Sequence, residues 1–302
     1  MIFAVSVSAG AANSNDFDYL ELQASLAEGA EVVASKDMTT GEISYSTFEY
    51  EKPAALYSLG ITGEVSEGWF PENTLEATDS STYSIIGDDG RVEVSDTEAY
   101  PYSAICYIET KWPDGNTSLG TAWMIYSDIA LTAGHCVYSS ENGGWAKSVK
   151  LWPAKDGYAI WNNPYGTTTS RTLHAASQWT ESQDDEYDWA VIELTDNIGD
   201  ETGWFGIGWT SSDPTGTTVT ITGYPGEHRY YQYKMSGKIT RSSANKLYYN
   251  TIDTSGGQSG SPIYTAGNIA YGIHCHGVNL AGENAGVRIN EWRYNYFSSF
   301  KD

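Results

Sequence analysis

The sequence predicts an all-β fold that ends in one helix, and three observations carry this prediction. After residue 100 the chain consists of short segments rich in Val, Ile, Tyr and Thr, the residues that favour strands. Gly, Asn, Asp and Pro separate these segments, and no helical pattern lies between them. Only the tail, residues 288–300, spaces its apolar residues with a helical period. An antiparallel sandwich or barrel with a C-terminal helix is therefore expected.

The individual elements can be placed in chain order. Residues 17–30 have the pattern of an amphipathic helix, and residues 42–50 alternate as a strand does. Later strands are predicted at residues 103–109, 148–154, 188–194, 217–226, 246–252 and 268–274. One face of the predicted tail helix carries Ile289, Trp292, Tyr296, Phe297 and Phe300.

Charge is unevenly distributed along the chain and restricts its partners. The 302 residues include 16 Lys and Arg against 39 Asp and Glu, a net charge of −23, which repels nucleic acids and anionic membranes. Residues 12–83 hold fourteen of the acidic residues and only two lysines. The polar segment 76–84 at the end of this acidic part is turn-prone, and it predicts a domain boundary or an accessible linker.

The first eleven residues favour export from the cell. A short apolar run leads to Ala9 and Ala11 in an A-x-A arrangement, which is typical of the end of a signal peptide, although no Lys or Arg precedes the run. A buried N-terminal strand is the alternative. No apolar run reaches the roughly 18 residues of a membrane span.

Residues 254–262, TSGGQSGSP, surround Ser259 with glycine. Glycine lets a chain turn sharply and leaves its N–H groups uncovered by side chains, so such a loop can aim several donors at one point. An ordinary Gly/Ser-rich turn is the alternative. Two other segments favour the first interpretation. LTAGHCVY places His135 at a strand end, and DDEYDWAVIEL places Asp188 before a buried strand.

These three residue types can together activate a hydroxyl group. A serine becomes a nucleophile when a base removes its proton, and neutral imidazole suits that role. A buried carboxylate then holds the tautomer of the imidazole. His135, Asp188 and Ser259 could supply the three groups. Their order argues against an α/β-hydrolase, which needs the order Ser, Asp/Glu, His and a G-x-S-x-G elbow where this chain has Ser261.

The same residues resemble the bacterial glutamyl endopeptidases, a branch of the chymotrypsin-fold serine endopeptidases. The resemblance rests on TAGHC around His135, YDWAVIEL around Asp188 and GGQSGSP around Ser259, and it extends through nearly all of residues 84–302. It implies two six-stranded antiparallel barrels with the three side chains in the cleft between them. It further implies an oxyanion hole formed by the N–H groups of Gly257 and Ser259. No cofactor is required, and a structural calcium ion cannot be read from the sequence.

The resemblance also implies a pocket for a glutamate side chain. Its lining would come from Thr254, from His274 and from the freed α-amino group of Ser84 at the start of a mature chain. Asp253 leaves a trypsin-like preference for Lys or Arg open, because trypsin-like enzymes place an Asp six residues before the nucleophile. His276 could be combined with His274 as a metal site, but two alternating histidines on a strand are a weak signal.

Two positions depart from the pattern of related enzymes. Gln258 stands where chymotrypsin has the aspartate that captures a new N-terminus, so activation cannot use that ion pair. Gly120 stands where relatives often have the cysteine that pairs with the one after the catalytic histidine, here Cys136. Cys106 could replace it as the partner, and because Cys275 makes the total three, at least one thiol stays unpaired.

Residues 12–83 resemble an acidic propeptide ahead of an endopeptidase domain at 84–302, as in a secreted zymogen that acts on proteins or peptides. The residue directly before Ser84 is Tyr83, which is not acidic. A glutamate-specific enzyme should therefore not cut this bond efficiently. Self-cleavage is expected first at Glu76 or Asp79, with a second protease for the final trimming. An inactive double-barrel binding module is the alternative outside the enzyme class.

Overall fold

The computed structural model describes residues 7–8, 15–27, 29–50, 63–71, 89–159, 162–277 and 281–301. Two large β-sheets contain most of the strands of this part of the chain. The prediction of an all-β, chymotrypsin-like fold with a short C-terminal helix is confirmed.

The described residues before residue 72 form one helix and four short strands. These are β1 (Val7–Ser8), α1 (Asn15–Ala27), β2 (Val32–Asp37), β3 (Ile43–Thr47) and β4 (Gly63–Val65). The helix agrees with the prediction at residues 17–30, and β3 lies within the strand predicted at 42–50. β2 and β3 form an antiparallel hairpin, and β1 pairs with β3. The boundary predicted at 76–84 and most of residues 1–11 lie outside the described residues.

The next part of the chain forms a closed barrel of six strands. They are β6 (Ile105–Lys111), β7 (Thr117–Met124), β8 (Ile129–Thr132), β11 (Ser148–Pro153), β12 (Thr168–Ala176) and β13 (Ala190–Leu194); the short strands β5 (Val92–Glu93), β9 (Tyr138–Ser139) and β10 (Gly144–Trp145) lie outside the barrel. The order β12–β11–β6–β7–β8–β13 closes because β13 pairs back with β12. Large side chains such as Trp123 fill the interior and have no exposed area.

The last third of the chain forms a second curved sheet. Its strands are β14 (Gly206–Thr210), β15 (Thr218–Gly223), β16 (Tyr233–Lys238), β17 (Arg241–Ser242), β18 (Lys246–Tyr249), β19 (Pro262–Tyr264), β20 (Ile269–His276) and β21 (Asn284–Arg288). The main order is β17–β18–β21–β20–β19–β15–β16. By its pairing this is a half-barrel rather than a second closed barrel. Ile239 and Thr240 lie between β16 and β17, which stand at opposite ends of this order.

The predicted tail helix is present and packs behind Asp188. The helices of this part are α2 (Ser177–Ser182), α3 (Gly199–Thr202) and α4 (Glu291–Ser298). The side chain of Asn290 caps α4 by accepting a hydrogen bond from the backbone N–H of Arg293. Phe297 is buried, and its ring centroid lies 5.3 Å from that of Trp189, the residue after Asp188. Among the described residues no helix is long and apolar enough to cross a membrane.

The N-terminal part packs against both sheets. β2 pairs with β12 along residues 172–176, beyond the residues of β12 that pair with β11. β4 pairs with β14 of the second sheet. Glu31 accepts hydrogen bonds from Trp189 Nε1 at 3.1 Å and from Arg293 Nε at 2.9 Å, and the Arg293 side chain has no exposed area. The acidic N-terminal part therefore supplies a carboxylate to a buried guanidinium of α4.

Candidate active site

Two adjacent strands of the closed barrel bring His135 and Asp188 together. His135 lies in a 3-10 turn that follows β8, and Asp188 lies just before β13, which pairs antiparallel with β8. Asp188 Oδ2 is 2.7 Å from His135 Nδ1, and Asp188 Oδ1 accepts a hydrogen bond from the His135 backbone N–H at 2.7 Å. A Cβ at Gly134 would lie 2.9 Å from Trp179 Cδ1 and 3.0 Å from Asp188 Oδ1, so this close approach favours glycine there.

The electrostatics of the pair follow from burial and from mutual attraction. The Asp188 side chain has no exposed area, whereas 32% of the His135 side chain is exposed. Burial raises the pKa of Asp188 and lowers the pKa of His135, because each charged form loses hydration. Attraction between the two groups outweighs burial, so the pKa of Asp188 is lowered and that of His135 is well above its ordinary value. The carboxylate thus stabilises the imidazolium ion that forms when His135 takes up a proton.

Ser259 lies in a loop that only glycine can form. Gly257 and Gly260 have φ values of +99° and +92°, which L side chains rarely adopt. A Cβ at Gly257 would lie 2.5 Å from the carbonyl oxygen of Tyr224, and one at Gly260 would lie 2.0 Å from that of Thr121. The glycine-rich composition of residues 254–262 is therefore required both by backbone conformation and by space.

Thr121 of β7 ties the Ser259 loop to the closed barrel. Its backbone N–H donates to the carbonyl oxygen of Ser259 at 2.9 Å, and its hydroxyl donates to the carbonyl oxygen of Gly257 at 2.9 Å. Cys136, the residue after His135, has its Sγ 3.8 Å from the carbonyl oxygen of Ser259. These contacts bring Ser259 into the same cleft as His135. Thr121 lies within residues 84–302, over which the family resemblance extends, but no sequence pattern predicted its role.

The loop leaves two backbone N–H groups free. Neither Gly257 nor Ser259 donates a backbone hydrogen bond to any described residue. The two residues that follow them in the chain, Gln258 and Gly260, have N–H groups that are already bonded within the protein. Gln258 N–H donates to the Ser255 carbonyl at 3.1 Å, and Gly260 N–H donates to the His274 carbonyl at 2.7 Å. The two amides predicted for an oxyanion hole are thus available to a ligand.

The predicted glutamate-pocket residues have different surroundings. Thr254 Oγ1 is buried and has no hydrogen-bond partner among the described residues. His274 is buried; its Nδ1 is 2.5 Å from the hydroxyl oxygen of Tyr249, and its ring also has a hydrogen bond with the backbone of Ala285. Burial, with a smaller contribution from nearby imidazoles, lowers the pKa of His274 to about 3, so this ring is neutral at pH 7. Ser84 lies outside the described residues.

Two residues of β20 approach Asp188 from the second sheet. His276 Nε2 lies 3.4 Å from Asp188 Oδ2, and Cys275 Sγ donates to the carbonyl oxygen of Asp188 at 2.9 Å. His276 therefore faces Asp188, and it does not form a metal-binding group with His274. The one group of three potential metal ligands in the described part of the chain is Asp89, Glu227 and His228.

All three cysteines are free and buried, so Cys106 does not replace the missing partner of Cys136. A Cβ at Gly120 would lie 3.0 Å from Cys136 Sγ, which shows that glycine occupies the place of that partner. Cys106 lies on β6 opposite Ala122 of β7, within the wall of the closed barrel.

Comparisons with known proteins agree with this geometry. Residues 90–297 match the family model described as Trypsin. The chain is 37% identical to the glutamyl endopeptidase of Bacillus licheniformis over 263 residues, which cover 82% of this chain and 79% of the relative. It is 36% identical over 218 residues to a Bacillus subtilis protein named extracellular metalloprotease, with coverage of 70% and 68%. A solved structure of a Glu endopeptidase in complex with MPD has a TM-score of 0.63 and 30% identity, and the match covers 72% of this chain and 99% of that chain.

The part of the chain that matches the family model contains the closed barrel and every strand of the second sheet from β14 to β21. His135, Asp188 and Ser259 all lie within it. The chain therefore belongs to the trypsin family, and it is a serine endopeptidase of the chymotrypsin fold.

Proposed function

We propose that this endopeptidase cleaves peptide bonds on the carboxyl side of glutamate, with Ser259 as the nucleophile, His135 as the general base and Asp188 as the carboxylate that orients the base. The observation that carries this proposal is the 2.7 Å contact between His135 Nδ1 and Asp188 Oδ2. It lies next to Cys136, whose Sγ is 3.8 Å from the carbonyl oxygen of Ser259. The contact with Asp188 occupies Nδ1, which leaves Nε2 to take the proton of Ser259.

The reaction follows from these positions. His135 removes the Ser259 proton while the serine oxygen attacks the substrate carbonyl carbon. The free N–H groups of Gly257 and Ser259 stabilise the resulting oxyanion, and each such donor contributes about 2.7–4 kcal/mol. His135 then protonates the leaving amine, and a water molecule repeats the steps to release the acyl group. Nucleophile, base and donors are all protein groups, so this chemistry requires no cofactor.

Preference for glutamate is supported by the names of the relatives and by the pocket residues. A substrate carboxylate would give the buried hydroxyl of Thr254 the partner that it lacks. Burial raises the pKa of Tyr249 well above its ordinary value, so its hydroxyl keeps its proton and donates to His274 Nδ1. This fixes the ring proton of His274 on Nε2. A substrate carboxylate that accepts from Nε2 would share or replace the hydrogen bond that the ring makes with the backbone of Ala285. Recognition would then use hydrogen bonds rather than an imidazolium charge.

The contacts of Asp253 weaken the trypsin-like alternative. This residue is exposed, and its Oδ2 accepts a hydrogen bond from the backbone N–H of Gly90 at 3.0 Å. Its carboxylate is therefore not held unpaired in a buried pocket, as binding of a Lys or Arg side chain would require.

The name of the Bacillus subtilis relative raises a metal-dependent alternative, which the side chains do not fit. Asp89 and Glu227 both form ion pairs with Arg91, at 2.8 Å between Arg91 Nη2 and Asp89 Oδ2 for the first. The hydrogen bond from Arg91 holds the pKa of Asp89 at about 2. A guanidinium thus occupies the place that a metal ion would need beside His228.

We further propose that residues 12–83 are the propeptide of an exported zymogen. Export is supported by the composition of residues 1–11 and by a relative named extracellular. A role of the propeptide in folding is supported by the hairpin on β12 and by the pairing of Glu31 with buried Arg293. Purified precursor incubated alone should be cut at acidic sites such as Glu76 and Asp79. A product that begins at Ser84 without a helper protease would contradict the need for a second enzyme.

A cleavage profile of the processed protein on a peptide library tests the proposed specificity. Cuts after Glu are expected, whereas cuts after Lys or Arg would indicate the trypsin-like alternative. A fluorophosphonate should label Ser259, and His135→Ala should prevent the labelling. Folded protein that is neither labelled nor cleaves peptides would be an inactive binding module, and activity that only a chelator abolishes would indicate a metalloprotease.

A further inference from the structure

Arg91 lies near the start of the predicted endopeptidase domain, residues 84–302, and its side chain is only 7% exposed. Strand β5, which starts at the next residue, pairs with β16 and anchors this part of the chain to the second sheet. The guanidinium pairs with Asp89 and Glu227 through Nη2, while Nη1 donates to Ser255 Oγ and to Gln258 Oε1, both at 2.8 Å. These five residues are called the Arg91 network below.

The network bonds to two residues of the Ser259 loop, Ser255 and Gln258. Gln258, which precedes Ser259, is buried, and its Oε1 also accepts a hydrogen bond from the Ser255 backbone N–H at 3.0 Å. Ser255 Oγ in turn donates to Glu227 Oε2 at 2.7 Å. The segment from Ser255 to Gln258 contains Gly257, whose N–H donates to no described backbone group and is a candidate oxyanion donor.

Thr121 holds this loop from the side of the closed barrel, and the Arg91 network adds the side-chain contacts to Ser255 and Gln258. A Cβ at Gly256 would meet no atom within 4 Å, and Gly256 itself is held by a backbone hydrogen bond from the Gly226 N–H to its carbonyl oxygen at 2.7 Å. Glycine also has the largest backbone freedom to lose on ordering, and a loop with two adjacent glycines needs other bonds to hold it. A planar guanidinium with several fixed donors can satisfy two carboxylates, a hydroxyl and an amide oxygen at once.

We propose that Arg91 is a positioning residue for the Ser259 loop and its two candidate oxyanion donors. It would replace the ion pair between an aspartate and a new N-terminus, which Gln258 cannot make. The loop is therefore ordered before residues 12–83 are removed. The proposal rests on the role of Gly257 and Ser259 proposed above. It is supported by the described chain itself, where the network is complete although β2 is paired with β12 and β4 with β14.

Three variants of the processed enzyme test the positioning role. Arg91→Met removes all the N–H donors. Arg91→Lys keeps the charge but has a single nitrogen in place of the planar guanidinium group. Arg171→Met is the matched control. Arg171 also bridges two carboxylates, Asp128 and Glu193, but it lies on the closed barrel away from the loop. We expect Arg91→Met to lower kcat and the fluorophosphonate labelling rate at least tenfold, with a smaller change in KM, and Arg91→Lys to recover part of the loss.

The result is read per folded molecule, with the folded fraction measured by circular dichroism. Wild-type kcat and labelling rate in folded Arg91→Met would overturn the proposal, and so would an equal loss in Arg171→Met. If Arg91→Met does not fold, the proposal is tested with Arg91→Lys only. Wild-type kcat in folded Arg91→Lys would show that the planar guanidinium group is not needed and would overturn the proposal. Wild-type enzyme that is itself unlabelled would instead contradict the proposed function.

The second part is tested on the uncleaved chain. Full-length protein is treated with a fluorophosphonate, and the mass of each adduct shows whether residues 12–83 are still attached. We expect the intact precursor to be labelled within about tenfold of the rate of the processed form, and Ser259→Ala to remain unlabelled. A folded precursor that is labelled only after cleavage would overturn this part.

Discussion

The two sheets hold their parts of the cleft by different means. The closed barrel places His135 and Asp188 at the ends of paired strands, against side chains such as Trp189 that have no exposed area. The second sheet presents Ser259 on a loop with two positive-φ glycines, fixed by hydrogen bonds from Thr121. The first arrangement is held by burial and the second by polar contacts to backbone groups.

Because of this difference, substitutions in the two regions should affect stability and activity to different degrees. Changes in the closed barrel remove packing and should affect both folding and activity. Changes in the Ser259 loop alter a few hydrogen bonds and backbone angles, and should affect activity more than stability. The predictions that follow test this contrast in order of decreasing effect.

The largest effect is expected from Asp188→Asn in the closed barrel. Loss of the carboxylate should lower kcat about 10⁴-fold, because the imidazole loses the partner that fixes its tautomer and stabilises its cation. His135 must be neutral to act as base, so kcat/KM rises as pH increases through its pKa, which Asp188 raises above the ordinary value. With the carboxylate removed, burial lowers that pKa, and the acid limb of the pH profile should move to lower pH. An unmoved acid limb would contradict this account.

A smaller effect is expected from Gly257→Ala in the Ser259 loop. The new Cβ would lie 2.5 Å from the Tyr224 carbonyl oxygen in a backbone conformation that Ala rarely adopts. The displaced N–H should lower kcat by about 10²- to 10³-fold, the cost of one oxyanion donor. Gly256→Ala is the control, since its Cβ would meet nothing within 4 Å. Equal losses in the two variants, or a fall in Tm as large as that of a core substitution, would contradict the contrast.

The smallest loss is expected from Tyr249→Phe below the glutamate pocket. This variant removes the hydrogen bond to His274 Nδ1 and frees the ring to change tautomer, which should lower the preference for Glu over Gln by up to about tenfold, since one such bond contributes roughly 0.5–1.5 kcal/mol. Tyr248→Phe is the control, because the Tyr248 ring packs against Arg241 instead. Ratios of kcat/KM for matched Glu and Gln peptides measure the effect. An unchanged ratio would exclude Tyr249 from specificity.

The sequence predicted the strands, the tail helix and the three candidate catalytic residues because their signals are local. A glycine-rich loop, a histidine at a strand end and a carboxylate before a buried strand each lie within about ten residues. The contacts that hold the cleft together are not local. Thr121 meets the Ser259 loop across more than 130 residues, and Arg91 meets Gln258 across 167.

Such pairs leave no periodic signal, so only the folded chain identifies them. The pairing of the N-terminal hairpin with β12 was equally unpredictable, because it depends on which strand edge the barrel leaves free. The half-barrel pairing of the second sheet likewise depends on which strands pair across long stretches of sequence, such as β18 with β21, and no local pattern marks this.

The unpaired sulfur atoms have a practical consequence. Burial raises the pKa of the Cys106 and Cys275 thiols, which keeps them protonated and unreactive. Dithiothreitol should therefore leave both kcat and the unfolding midpoint unchanged, and active enzyme should be recoverable from a reducing bacterial cytoplasm without oxidative refolding.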